Sequence, residues 1–510
     1  MKVQRTKNAG RNILFGIILK VYQIIMPFVM RTVMIYYMGI EYAGLNNLFL
    51  SILQVLNLAE LGIGAAMIYS MYEPIAKNDD KKICALMNLY KVSFRIIGII
   101  VLVLGLVIFP FVPNFIAGSV PSELNVYTLY LMHLSVTVIS YWLFAYKNSL
   151  LYAHQRTDIN SKVLLLTNTF QYVFQLVSLF VFKNYYLYLL VSIITQIATN
   201  IITSIVVDKI YPKYKAQGKI DVETKKNIKK HVLGLVTNKI GSTVLNSTDS
   251  IIISSFLGLS ILATYQNYQF IITAVISIVI IVYQACLAGI GNSLILENKN
   301  KNYQDFKTMN FIINWISTFC CSCMICLFQP FMKIWIGDSY LLNMPIVICL
   351  VVYFFIYQIE QLIGMYKDAA GIWYEDRFRP LITAIGNVIL SLILVRAWGL
   401  YGVKIATIIC ITVLSLPWLI ANLFKYIFPN ESEVKYCLSL CGYVIVTIVN
   451  CCITYFVCSF INDTGIISLV LKIILCGIVS NVINVIIFIK NKELKKSFNI
   501  LKKMFFKKSS

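Results

Sequence analysis

The sequence predicts an all-α polytopic membrane protein, with about fourteen transmembrane helices forming two pseudo-symmetric six-helix lobes followed by two further helices. Three observations carry this reading. Of 510 residues, 59% are hydrophobic and only 13% charged, a balance foreign to soluble domains of this length. Apolar runs of about 18 to 28 residues recur from residue 13 to residue 489, each long enough to cross a bilayer. The basic residues fall on alternate connections rather than evenly along the chain.

Taken in order, the expected spans are 13–38, 44–70, 85–110, 123–146, 161–182, 185–207, 231–257, 262–290, 308–329, 342–365, 380–396, 400–421, 437–460 and 466–489. The gaps between them are too short for a sizeable soluble domain. The first run, ILFGIILKVYQIIMPFVMRTVMIYYM, is too long and too charged for a cleavable signal peptide. A start on the cytoplasmic side places Lys2, Arg5, Lys7 and Arg11 there, and the loops on that side and both tails then hold most of the 44 Lys and Arg residues. The opposite loops hold Lys183, Lys333 and Arg396. This is the positive-inside pattern, and it expects both termini in the cytoplasm and the chain in the cell membrane. The net charge of +22 is therefore a topology signal, and nucleic acid is not an expected partner.

The chain also looks duplicated. A shift of 219 residues carries Lys20 onto Lys239 and Gly39 onto Gly258. A shift of 220 carries Ala43 onto Ala263, Asn47 onto Asn267 and Lys147 onto Lys367. A shift of 213 carries Lys183, Leu187 and Tyr188 onto Arg396, Leu400 and Tyr401. Six spans per copy is an even number, so both copies would insert in the same orientation, and transporters built this way place their substrate path between the copies. The expected division is 1–215 for the first lobe, 216–425 for the second, 426–490 for helices 13 and 14, and 491–510 for a basic cytoplasmic tail. In that tail Leu494, Phe498, Leu501 and Phe505 share one helical face, which suits a helix lying on anionic membrane lipids.

Ionisable groups inside the spans are functional candidates, because hydrocarbon does not solvate them. Lys20 and Arg31 lie eleven residues apart, three helical turns, and so share a face about 16 Å apart along the axis. In span 2, Asn46, Asn57, Glu60 and Gly64 form a narrow polar stripe. Span 7 carries Asn238, Lys239, Ser242, Asn246, Ser247 and Asp249. In span 10, Tyr353, Tyr357, Glu360 and Gly364 share a face. By depth Lys20 matches Glu60 and Arg31 matches Asp249, and two readings stay open: ion pairs that only join helices, or the charged lining of a watery cavity. Cations in such a cavity suit a diphosphate. Lys91, Arg95, Lys404 and Lys472, close to span ends, are expected to snorkel to the interface.

Other chemistry finds little support. The cysteine cluster Cys320, Cys321, Cys323 and Cys326 lies in an apolar span with no histidine nearby, so it reads as small buried side chains, with no metal site and no disulfide framework. There is no phosphate-binding loop, no soluble catalytic motif and no outer loop large enough for an active site. No enzymatic activity and no cofactor is expected.

The segments RTVMIYYMGIEYAGLNNLF (31–49), SILQVLNLAELGIGAAMIYSMYEPIA (51–76) and KDAAGIWYEDRFRPLI (367–382), with the span layout and the duplication, resemble the Wzx-type polysaccharide flippases. These belong to the superfamily (MOP) of the lipid II flippase and the MATE multidrug exporters. The resemblance implies a carrier of undecaprenyl-diphosphate-linked oligosaccharide for capsule, O-antigen or teichoic acid assembly, working by alternating access beside a polysaccharide polymerase machinery. It implies cavity cations at Lys20, Arg31 and, by pseudosymmetry, Lys239. Asn57, Asn238, Asn246 and Tyr357 would be polar lining, and Glu60, Asp249 and Glu360 coupling or charge-pair acids. Arg31, lacking a cationic repeat partner, reads as the better single candidate for substrate contact. The rival is a MATE-like cation-coupled exporter of drugs, whose cavity should be net acidic.

Overall fold

The computed structural model describes residues 5–60, 63–118, 120–461 and 465–498. Within its helices, the side chains of residues 5–10, 226–227, 229–239 and a few single positions, 246 among them, lie outside the description. Seventeen α-helices and no strand occur among the described residues. They are α1 (Arg5–Tyr37), α2 (Ile40–Leu56), α3 (Ile63–Lys77), α4 (Asp80–Ile108), α5 (Val126–Trp142), α6 (Asn148–Ala153), α7 (Thr157–Phe180), α8 (Tyr185–Ile210), α9 (Val222–Leu257), α10 (Leu259–Leu296), α11 (Lys299–Ile336), α12 (Met344–Ala369), α13 (Arg379–Trp398), α14 (Leu400–Ile409), α15 (Leu416–Asn422), α16 (Glu433–Ser459) and α17 (Ile466–Phe488).

Local sequence explains many of the boundaries. Short polar side chains cap helix starts: Asp79, Asn125, Asn184, Asp221, Asn298 and Ser432 each accept a hydrogen bond from the amide three residues on, satisfying one otherwise unpaired helical donor. Gly39 and Gly258, paired by the 219-residue shift, hold φ of +113° and +91° at the α1–α2 and α9–α10 junctions. Residues with a Cβ disfavour that region, so both junctions call for glycine. Pro27 sits inside α1 and cannot donate to the carbonyl one turn back.

Among the described residues, eleven helices are long and apolar enough to cross a membrane, or twelve if α5 and the following segment, bent by 49°, count as one span. The fourteen expected from the sequence are not all present in that form. Span 44–70 is broken: α2 has 17 residues and runs into a 3-10 turn at Asn57–Glu60 before α3 begins. Its two helical pieces, 17 and 15 residues long, are each too short to count alone, and α9 is described only in part.

The chain divides into two compact units, Met1–Ala263 and Thr264–Ser510. In the first, α1 packs on α7 and α2, α5 on α4 and α8, and α9 on α2 and α3. In the second, α11 packs on α12, α16 and α17, while α12 and α13 pack on α14. Phe306 anchors an aromatic cluster in this unit, its ring centroid 4.9 Å from Tyr366, 5.3 Å from Phe428 and 5.4 Å from Tyr436.

Candidate functional site

The site around Arg31 begins with a residue that has no side chain. A Cβ built on Gly44 would lie 2.9 Å from the Leu259 carbonyl carbon and closer still to its oxygen, so only glycine lets α2 lie this near the start of α10. One turn along each helix stand Asn47 and Ala263. The close approach sets the Asn47 side-chain oxygen and the Ala263 carbonyl side by side, and half-buried Arg31 donates to both, from Nη1 at 3.3 Å and from Nη2 at 3.0 Å. Asp249 lies buried on α9.

Lys20, by contrast, stands exposed on α1 among exposed Ile17, Ile18 and Val21. It forms no ion pair among the described residues. The anticipated Lys20–Glu60 pair does not form: the Tyr141 hydroxyl reaches Glu60 Oε2 at 3.0 Å and Asn57 Oδ1 at 3.1 Å, so the 3-10 turn of span 2 is tied to α5 instead. Lys239, Asn238 and Asn246 lie outside the described side chains. A cleft of about 480 Å³ in this unit, lined by Glu73, Lys82, Asp221 and Glu223 among others, includes none of these candidates.

In the second unit Glu360 belongs to a charge network. Arg379 donates to both oxygens of Asp376, from Nε at 2.8 Å and Nη2 at 3.0 Å, while its Nη1 reaches Glu360 Oε1 at 2.9 Å and Ser415 Oγ at 2.6 Å. Lys367 Nζ meets Asp376 at 3.2 Å, and Ser415 donates to Glu360. Asp376 is 1% exposed; burial of a carboxylate needs compensation of this kind. The network links α12, the connection after it, and α13. Tyr357 lies beside Tyr353, ring centroids 5.8 Å apart.

Two features escaped the sequence reading. Lys404 does not snorkel: it is 1% exposed, its ammonium 4.6 Å from the Tyr353 ring centre and 5.0 Å from that of Tyr265, a cation–π arrangement. In the first unit, fully buried Asp158 gathers Arg156 at 2.9 Å, Arg11 at 3.3 Å and Lys162 at 3.8 Å; the hydrogen bond to Asp158 raises the Arg156 guanidinium above its ordinary value. Asp158 and Asp376 are separated by 218 residues, close to the repeat offset of Lys147 and Lys367, and this numerical match was the available signal.

A family model described as polysaccharide biosynthesis protein matches residues 9–288, more than half of the chain. The chain belongs to this family. The fold of this polysaccharide biosynthesis protein is similar to that of the lipid II flippase MurJ in its inward closed conformation, with a TM-score of 0.69 at 17% identity over 94% of this chain and 99% of the other. It is also similar to an inward-facing multidrug resistance MATE family transporter of the MOP superfamily (TM-score 0.63, 12% identity, 81% of this chain and 99% of that one). A Vibrio cholerae MATE transporter shares the fold with a TM-score of 0.53 at 13% identity, over 83% of this chain and all of the other. No curated protein sequence matches. The family and the MOP-type fold make this a multi-pass membrane protein.

Proposed function

We propose that this protein is a flippase that moves undecaprenyl-diphosphate-linked oligosaccharide from the cytoplasmic to the outer leaflet by alternating access. Both termini are then cytoplasmic, and an ion gradient or the membrane potential supplies the drive. The observation that carries the reading is Lys20: an exposed ammonium in the middle of an apolar helix, with no ion pair among the described residues. A cation in that setting is stable only with water or an anion beside it, and a diphosphate is the anion that a polysaccharide-assembly protein handles. Arg31, bound to Asn47 and Ala263, acts as a neighbouring fixed charge rather than the first contact, which reverses the order of preference drawn from sequence. Glu60, which has no ion pair among the described residues, is the acid proposed for coupling.

The test is glycan export in a strain stripped of other flippases. Lys20→Gln should lower export by about tenfold or more while Lys20→Arg retains it, a tenfold change being about 1.4 kcal/mol. Intact export in both Lys20→Gln and Arg31→Gln would end the diphosphate reading. Unchanged export with altered drug resistance in a deletion strain would favour the MATE-like alternative.

A further inference from the structure

The cysteines Cys320, Cys321, Cys323 and Cys326 read, from spacing alone, as buried apolar filling. The fold adds what spacing does not give. Helices α16 and α17 pack against α11 and bring Cys458 and Cys476 onto Cys326. The three sulfurs all lie within 4.8 Å of one another, with Cys458 Sγ and Cys476 Sγ 3.6 Å apart. The three residues are 5%, 4% and 0% exposed. Cys323, one turn back on α11, packs against the group together with Leu327 and Leu475.

These spacings match a coordination shell. Zn–S bonds of about 2.3 Å in a tetrahedron put neighbouring sulfurs about 3.8 Å apart, so the thiols stand within about 1 Å of a metal-bound arrangement before any ion arrives. Thiolate is the ligand that selects Zn²⁺ and Cu⁺ over hard cations. We propose that Cys326, Cys458 and Cys476 hold one soft closed-shell metal ion, Zn²⁺ or Cu⁺, joining α11, α16 and α17.

The charge balance fits the apolar setting. Zn²⁺ bound by three thiolates breaks three S–H bonds, forms three Zn–S bonds, releases three protons to the medium and leaves one negative charge. Cu⁺ bound by two thiolates releases two protons and leaves the same charge. Lys472 lies one turn before Cys476 on α17, placing a positive charge on the same helix to offset it. Cys458 is one residue from the end of α16, so the site is near a helix terminus rather than sealed in mid-span.

The test uses the full-length chain, purified in detergent under reducing conditions. Elemental analysis should find about one zinc or one copper per chain, and which one is present separates the two ions. After stripping with a chelator, Co²⁺ should produce a sulfur-to-cobalt charge-transfer band that saturates at one equivalent. Cys458→Ala and Cys476→Ala should each weaken Co²⁺ binding by about tenfold or more, whereas Cys441→Ala, at an exposed position on α16, should not. Zinc or copper should also raise the melting temperature of the wild type and not of the double variant. The proposal is overturned if the reduced wild type gives no cobalt band, a measurement independent of whether any variant folds. It is equally overturned by a band that persists in the folded double variant, or by a Cys458–Cys476 disulfide in place of metal in protein purified under reducing conditions.

Discussion

Arg31 donates from Nη2 to the carbonyl oxygen of Ala263, 232 residues away in sequence, at 3.0 Å. The bond exists because Gly44 lets α2 approach the start of α10. Gly44→Ala should therefore force the two backbones apart, costing about 1–3 kcal/mol, and should impair export by displacing Arg31. Thermal unfolding in detergent measures the first effect and glycan export the second. A variant with wild-type melting would show that the helices yield without cost.

Lys20 and Arg31 should separate by their stability signatures. Arg31→Gln removes two charge-assisted hydrogen bonds, each contributing about 1.5–3 kcal/mol, so melting and export should fall together. Lys20→Gln removes an exposed charge and should reduce export with melting unchanged. Paired measurements on each variant decide between the two roles.

Asp376→Asn should be among the most destabilising single changes in the second unit. It leaves the Arg379 and Lys367 charges without their shared carboxylate, and a broken buried ion pair costs about 3–5 kcal/mol. Poor yield or early unfolding is the expected outcome. Replacing exposed Asp338, whose partner Lys333 is also exposed, should change little.

Glu60→Gln keeps the hydrogen bond from Tyr141 but removes the charge. If Glu60 carries the coupling proton, the variant should lose the dependence of export on an imposed pH gradient while retaining its melting temperature. Export that still follows the gradient would remove Glu60 from that role.

His154 supplies a pH dependence of stability. Burial pushes its imidazole below the ordinary histidine range, partly opposed by its hydrogen bond to the Leu150 carbonyl, and the ring lies 4.4 Å from Tyr211. The folded protein thus favours neutral His154. Its stabilisation is complete above the unfolded value of about 6.5 and declines as pH falls through it. Melting temperature should drop between pH 7 and about 5.5, and His154→Phe, which keeps the ring but takes no proton, should flatten that drop.

The sequence makes the all-α membrane class legible because hydropathy and charge placement are properties of single segments. Gly39 and Gly258 mark their helix junctions for the same reason. What it hides depends on pairing between distant segments. Depth alone pairs Lys20 with Glu60, but depth does not say which way a helix is turned, and Tyr141 on α5 occupies Glu60 instead. Position near a span end makes Lys404 a snorkelling residue, yet Tyr265 and Tyr353 on two other helices enclose it. Span 44–70 reads as continuous because its hydropathy is, while the 3-10 turn at Asn57–Glu60, whose two polar side chains accept from Tyr141 on α5, leaves no mark in hydropathy.

The inner charges of Glu360, Arg379, Asp376 and Lys367 balance two against two, with the Asp368 carboxylate 3.0 Å from Lys367 on the exposed side, so the inner four carry no net charge. A membrane potential exerts no net force on a neutral cluster, however far it moves. An isolated charge that crosses the full field responds with about 2.3 kcal/mol per 100 mV. Voltage sensitivity then falls to charges outside such a cluster, among them Lys20 with whatever anion it carries and the proposed coupling acid Glu60, so a gating current would report the cargo and its coupling proton rather than the scaffold.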